Sequence, residues 1–103
     1  MKAIEVNSSN YDVEAGNGVC LVDFWAPWCG PCRSMLPVID ELAGELEGQV
    51  KVLKVNVDEN QGLAARYGVM TIPSIFVIKD GEVKRNFIGV QRKDDILKAI
   101  EAI

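Results

Sequence analysis

A chain of 103 residues, 49% of them hydrophobic, has the length of one compact domain and enough apolar side chain to build a core without metal or disulfide support. With 11 Lys and Arg against 15 Asp and Glu, the net charge of -4 provides no basic field to hold nucleic acid or an anionic membrane. Three cysteines and no histidine cannot form the multi-bridge framework of a small secreted domain.

The start, "MKAIEVNSSN", has no apolar stretch long enough for a signal peptide, and no later run approaches membrane-spanning length. The expectation is a single domain over residues 1–103, cytoplasmic and monomeric, with proteins or small molecules as partners and neither nucleic acid nor membrane. In chain order, "AIEV" reads as a weak edge strand, "NYDVEA" as a short helical turn and "GNG" (16–18) as a breaker. "VCLVDFW" (19–25) is a β-branched apolar run. After it Cys32, Leu36, Ile39, Ala43 and Leu46 recur every three or four residues, which paints one apolar face on a helix of about four turns. Pro37 should kink that helix, because it has no N–H to donate and its ring crowds the preceding turn.

"VKVLKVNV" (50–57) is the next strand, and "NQGLAARYG" a shorter helix ending at Gly68. "SIFVI" (74–78) is followed by "KDGE" (79–82), a tight hairpin turn in which Asp80-Gly81 tolerates positive φ. "KDDILKAIEAI" closes the chain as a helix burying Ile96, Leu97, Ile100 and Ile103. Strands joined by crossover helices should lie parallel, and the hairpin adds an antiparallel pair. The fold class is α/β, a mixed sheet of about five strands flanked by about four helices.

Cys29 falls where the run "VDFWA" ends and the periodic helix begins, so its sulfur meets the free N–H groups and dipole of a helix N-terminus, which stabilise a thiolate. Cys32 lies one turn later on the same face, within disulfide reach. Pro31 suits the first helical turn, and Gly30 lets the backbone pass close to the thiols. Three uses stay open: a reactive dithiol, part of a metal site shared between chains, or an incidental pair. A four-ligand metal site within one chain lacks donors, since only Cys20 accompanies the pair. Cys20, inside a strand among apolar neighbours, reads as a buried inert thiol. Asp23 sits in a strand covered on both faces, where desolvation raises a carboxyl's pKa unless a cation answers it. Lys54 in the next strand is the natural cation; the lesser alternative for Asp23 is a tolerated polar residue at a strand end.

"WCGPC", preceded by "VDFWAP" and followed by Pro37, "TIPS", "KDGE" and Gly89, resembles the thioredoxin family over nearly the whole chain. The resemblance implies the thioredoxin fold and a protein disulfide reductase that is a thiol-disulfide oxidoreductase. It implies Cys29 as nucleophile, Cys32 as resolving thiol, Asp23 as proton-transfer group for Cys32 and Lys54 as its modulator. The redox-active group would be the Cys29–Cys32 disulfide, with no bound cofactor and no metal. The Ile72–Pro73 bond, trans by default, would be cis, offering the Ile72 backbone to an extended substrate. Trp28, Gly30, Pro31, Thr71, Ile72, Pro73, Gly89 and Val90 would bind the substrate in a shallow apolar rim. Partners would be disulfide-containing target proteins, with a thioredoxin reductase as electron donor.

Two rivals remain at this level. Oxidases and isomerases of this family generally carry a histidine between the cysteines, whereas Gly30-Pro31 supplies no such charge. A binding module would use the rim with the dithiol idle. Departures from the family pattern are modest: Arg33 stands where Lys is common, Thr71 where Gly is frequent, and "QRKDD" opens the last helix without the usual cap.

Overall fold

The computed structural model describes residues 3–103. Its elements are β1 (Ile4–Val6), α1 (Tyr11–Ala15), β2 (Val19–Trp25), α2 (Gly30–Glu45), β3 (Val50–Asn56), α3 (Gln61–Arg66), β4 (Ser74–Lys79), β5 (Glu82–Ile88) and α4 (Lys93–Glu101). The five strands form one mixed sheet in the order β1-β3-β2-β4-β5. This is the expected sequence of elements, with the short first strand at an edge. Asp80 and Gly81 both take positive φ, 50° and 83°, and so close the β4–β5 hairpin.

Alternation along the buried strands divides the core between the two faces of the sheet. On one face Val22 and Phe24 of β2 pack with Leu53 and Val55 of β3, Tyr11 of α1 and Leu63 of α3. On the other, Leu21, Val52 and Ile75 pack with Met35, Ile39 and Leu42 of α2 and Ile96 of α4. Successive side chains along a strand point to opposite faces, so each face takes every second residue. The helices therefore cover both faces, α1 and α3 on one side and α2 and α4 on the other.

Two expectations need correction. In α2 the buried set is Cys32, Met35, Ile39, Leu42 and Ala43, with Leu46 buried just beyond the helix end, while Leu36 is only half-buried. A stripe wider than 100° takes in Met35 and Leu42 and turns Leu36 to its margin. The helix runs continuously through Pro37, which faces solvent. In α4, similarly, Ile96 and Ala99 are buried, while Leu97, Ile100 and, just beyond the helix, Ile103 are half-buried.

The second correction concerns direction. β1, β3 and β2 run parallel, but β4 is antiparallel to β2 although a helix precedes it. At 1.5 Å per residue α2 spans ~24 Å and returns the chain along a seven-residue strand of ~23 Å, whereas α3 covers only ~9 Å. The connection 57–73 does not carry the chain back to the start of β3, and β4 begins at the end at which β3 finished.

Candidate functional site

That reversal concentrates four connections at one end of the sheet. β2 and β3 finish there, β4 begins there, and β5 returns there, with Ser74 paired to Ile88. Segments 26–29, 57–60, 70–73 and 89–91 are thus neighbours. Val57 N–H donates to the Trp25 carbonyl at 2.9 Å, and Gly89 N–H to the Pro73 carbonyl at 2.8 Å. Gly89 has φ +86°, a conformation that a side chain would disfavour, and it steers β5 past the start of β4.

The cysteines lie at the centre of this end, joined as a Cys29–Cys32 disulfide with Cα atoms 5.2 Å apart. Cys29 is the N-cap of α2 in an extended conformation, and its Sγ accepts from Cys32 N–H at 3.1 Å. Pro31 occupies the first turn, where no intrahelical donor is needed. Unpaired N–H groups and the helix dipole favour negative charge on Sγ of Cys29. Accessibility differs within the pair: Cys29 is 5% exposed and Cys32 fully enclosed. Cys29 Sγ lies 3.9 Å from the Ile72 carbonyl, and Ile72, Ala26 and Val57 pack around the two sulfurs.

The residues expected to form the rim differ in exposure. Trp28, Val90, Thr71 and Pro31 face solvent, Gly30, Ile72 and Gly89 are half-buried, and Pro73 is buried behind Ile72. The Ile72–Pro73 bond is cis. Trp28 is held by its indole N–H, which donates to Asp58 Oδ2 at 2.8 Å. Arg33 donates to the Pro27 carbonyl at 3.1 Å, so its charge stays beside the entry to α2.

Asp23 is completely buried on the α2 side of β2, and neither carboxylate oxygen has a hydrogen-bond partner. Burial pushes its carboxyl up to about 7, with Lys54 opposing the rise and Glu5 adding to it. Lys54 is its register partner in β3 but is not within ion-pair distance, resting instead over the Trp25 ring with Nζ 5.5 Å from the centroid. A buried acid with a pKa near neutrality and no fixed partner can take up and release a proton at physiological pH.

Cys20 is buried on the opposite face of the sheet, within the Tyr11–Phe24 cluster, and its Sγ is 3.7 Å from the Glu14 carbonyl. Burial pushes its thiol up. The three sulfurs do not converge, and among the described residues no group of three His, Cys, Asp or Glu side chains could hold a metal ion. No helix among them is long and apolar enough to cross a membrane.

The thioredoxin family model matches residues 2–102. A thioredoxin of Staphylococcus saprophyticus is 46% identical over 101 residues, covering 98% of this chain and 97% of its own length. One of Bacillus subtilis is 42% identical over 100 residues, with 97% and 96% covered. The chain belongs to the thioredoxin family. Its five-stranded mixed sheet with four helices is the thioredoxin fold, and with its two cysteines joined at the head of α2 it is a thiol-disulfide oxidoreductase, a protein disulfide reductase.

Two residues around this thioredoxin-family centre were missed by inspection of the sequence. Asp58, which fixes Trp28, follows the end of β3 in "NVDEN"; a polar residue just past a strand parallel to β2 was the signal. Gln91 donates through Nε2 to the Ile88 and Gly89 carbonyls at 2.9 and 3.4 Å, pinning the segment that carries Val90. Nothing in the sequence around it announces that contact.

Proposed function

We propose that the protein reduces disulfides of target proteins by a two-thiol exchange in which Cys29 attacks and Cys32 resolves. An extended segment of the target lies across Trp28, Gly30, Pro31, Thr71, Gly89 and Val90, pairing with the backbone of Ile72 ahead of Pro73. The Cys29 thiolate bonds to one target sulfur and the other leaves as a thiolate. Cys32 then gives its proton to Asp23 and its sulfur attacks Sγ of Cys29. The second target sulfur departs with its electron pair, leaving the Cys29–Cys32 disulfide and a target reduced by two electrons. Lys54 modulates the affinity of Asp23 for that proton.

The observation that carries this reading is the position of the dithiol, with Cys29 at the helix N-terminus and Cys32 enclosed behind it on the side where Asp23 lies unpartnered. Re-reduction requires an external dithiol donor, for which a thioredoxin reductase is the partner of matching chemistry. The protein acts as a monomer in the cytoplasm, without bound metal or cofactor.

Substitution of each thiol tests the order of events. Cys32→Ser leaves Cys29 able to attack but unable to release product, so covalent adducts with a disulfide-bearing protein should accumulate and dissolve in dithiothreitol. Cys29→Ser should give almost none. Equal retention by both variants, insensitive to reductant, would mean that the rim is a docking surface and the dithiol is idle.

A further inference from the structure

On the α2 face of the sheet, register places three charged residues in one row. Glu5 of β1 pairs with Lys54 of β3, and Lys54 pairs with Asp23 of β2. Ala3, two residues before Glu5 and so on the same face, receives Asp40 of α2 as acceptor for its N–H at 3.2 Å. One cation therefore stands between two carboxylates, and neighbouring strands are only about 4.8 Å apart, so it can lean to either. It leans toward neither by an ion pair; it lies on Trp25, whose indole N–H donates to Glu5 Oε2 at 3.2 Å. Trp25 thus joins Lys54 and Glu5 into one unit at the open edge, and Asp23 keeps no partner.

Among the described residues, the charges that act on Asp23 are Lys54 and Glu5. β4 sets the apolar Ile75 opposite it, α2 on this face carries Cys32, and Glu59 acts on Glu5.

We propose that Glu5 is a positioning residue for the redox reaction: by sharing Lys54 through Trp25 it leaves Asp23 without a counter-ion and so sets the pH at which that acid accepts the Cys32 proton. This rests on the assignment of Asp23 as proton acceptor for Cys32. Glu5 itself is raised above the ordinary carboxylate value by desolvation, against the Trp25 hydrogen bond and Lys54, and it contributes to the rise at Asp23. With Glu5 neutral, Lys54 answers Asp23 alone and the negative charge beyond it is gone; both changes favour ionised Asp23.

The test follows the Asp23 carboxyl carbon by NMR titration, together with the pH profile of mixed-disulfide resolution, in the unaltered chain and in Glu5→Gln, Lys54→Gln and the double variant. The Gln amide oxygen keeps an acceptor for the Trp25 N–H, so the variant should retain the fold, which circular dichroism verifies. Glu5→Gln should lower the Asp23 midpoint by about half a pH unit, with the rate profile following, and the shift should shrink markedly in the Lys54→Gln background. An unmoved Asp23 midpoint overturns the proposal, as does an equal shift with and without Lys54, which would reduce Glu5 to simple repulsion. A midpoint that falls while the rate profile stays supports control by Glu5 and places the failure in the proton-transfer role of Asp23. A Glu5 with only a structural role would alter stability and move neither titration.

Discussion

In the proposed exchange, Asp23 sets stability against chemistry within a single side chain. An acid whose pKa rises from 3.8 unfolded to about 7 folded binds its proton more tightly in the native state. Its contribution to stability is complete below about pH 4 and is lost as pH rises through 7, a change on the order of 4 kcal/mol. Asp23→Asn should therefore flatten the decline between pH 5 and 8 and raise stability at pH 8 by about 1–3 kcal/mol, the gain being limited by the unanswered charge of Lys54. Urea midpoints at both pH values measure it. The same variant should slow resolution of the mixed disulfide more than its formation; unchanged turnover with lowered stability would leave Asp23 a structural residue. The burial of Asp23 and the candidacy of Lys54 were legible in "LVDFW" and "VLKVNV". The absence of an ion pair between them was not, because it depends on Trp25 and Glu5, and no local pattern tells which way a lysine lies across three strands.

At the scale of elements, α2 opens on Cys29 as its N-cap, and the loop after β3 supplies the hand that holds Trp28. Trp28 is 66% exposed, so without the bond to Asp58 its ring would be free to leave the approach to Cys29. Asp58→Ala should raise KM for a protein disulfide several-fold, in keeping with the loss of about 1–2 kcal/mol of orienting interaction, while kcat/KM for a small aromatic disulfide hardly changes. Equal losses on both substrates would show that Asp58 acts on the dithiol itself rather than on docking. The limits of α2 were legible from its Cys29 cap, Pro31 and the spacing of Ile39 and Ala43. Which of Met35 and Leu36 turns inward was not, since both fit a helical stripe and the choice belongs to the packing of α2 on β2, β3 and β4.

Across the whole molecule, the order of elements could be read from alternating apolar runs and breakers, but the direction of β4 could not be read from the presence of a helix before it. The connection 57–73, with only six residues in α3, leaves β4 starting at the end at which β3 finished. Through it Ile72 comes to lie beside Cys29 although 43 positions separate them, while the two sulfurs are only 3 apart. The electron-carrying bond is thus written into one turn of chain, and the selection of what it meets is written across half the protein. These two capacities have different sensitivities to loss of order. As urea rises, turnover of a folded protein target should disappear along the cooperative unfolding curve, whereas the Cys29–Cys32 pair should still exchange with a small-molecule dithiol past the midpoint. Coincident loss of both would show that even the bond between near neighbours depends on the distant half. Where exchange outlasts turnover, a stretched or partly opened chain is a discriminating reagent turned indiscriminate, keeping its electrons but no longer choosing where they go.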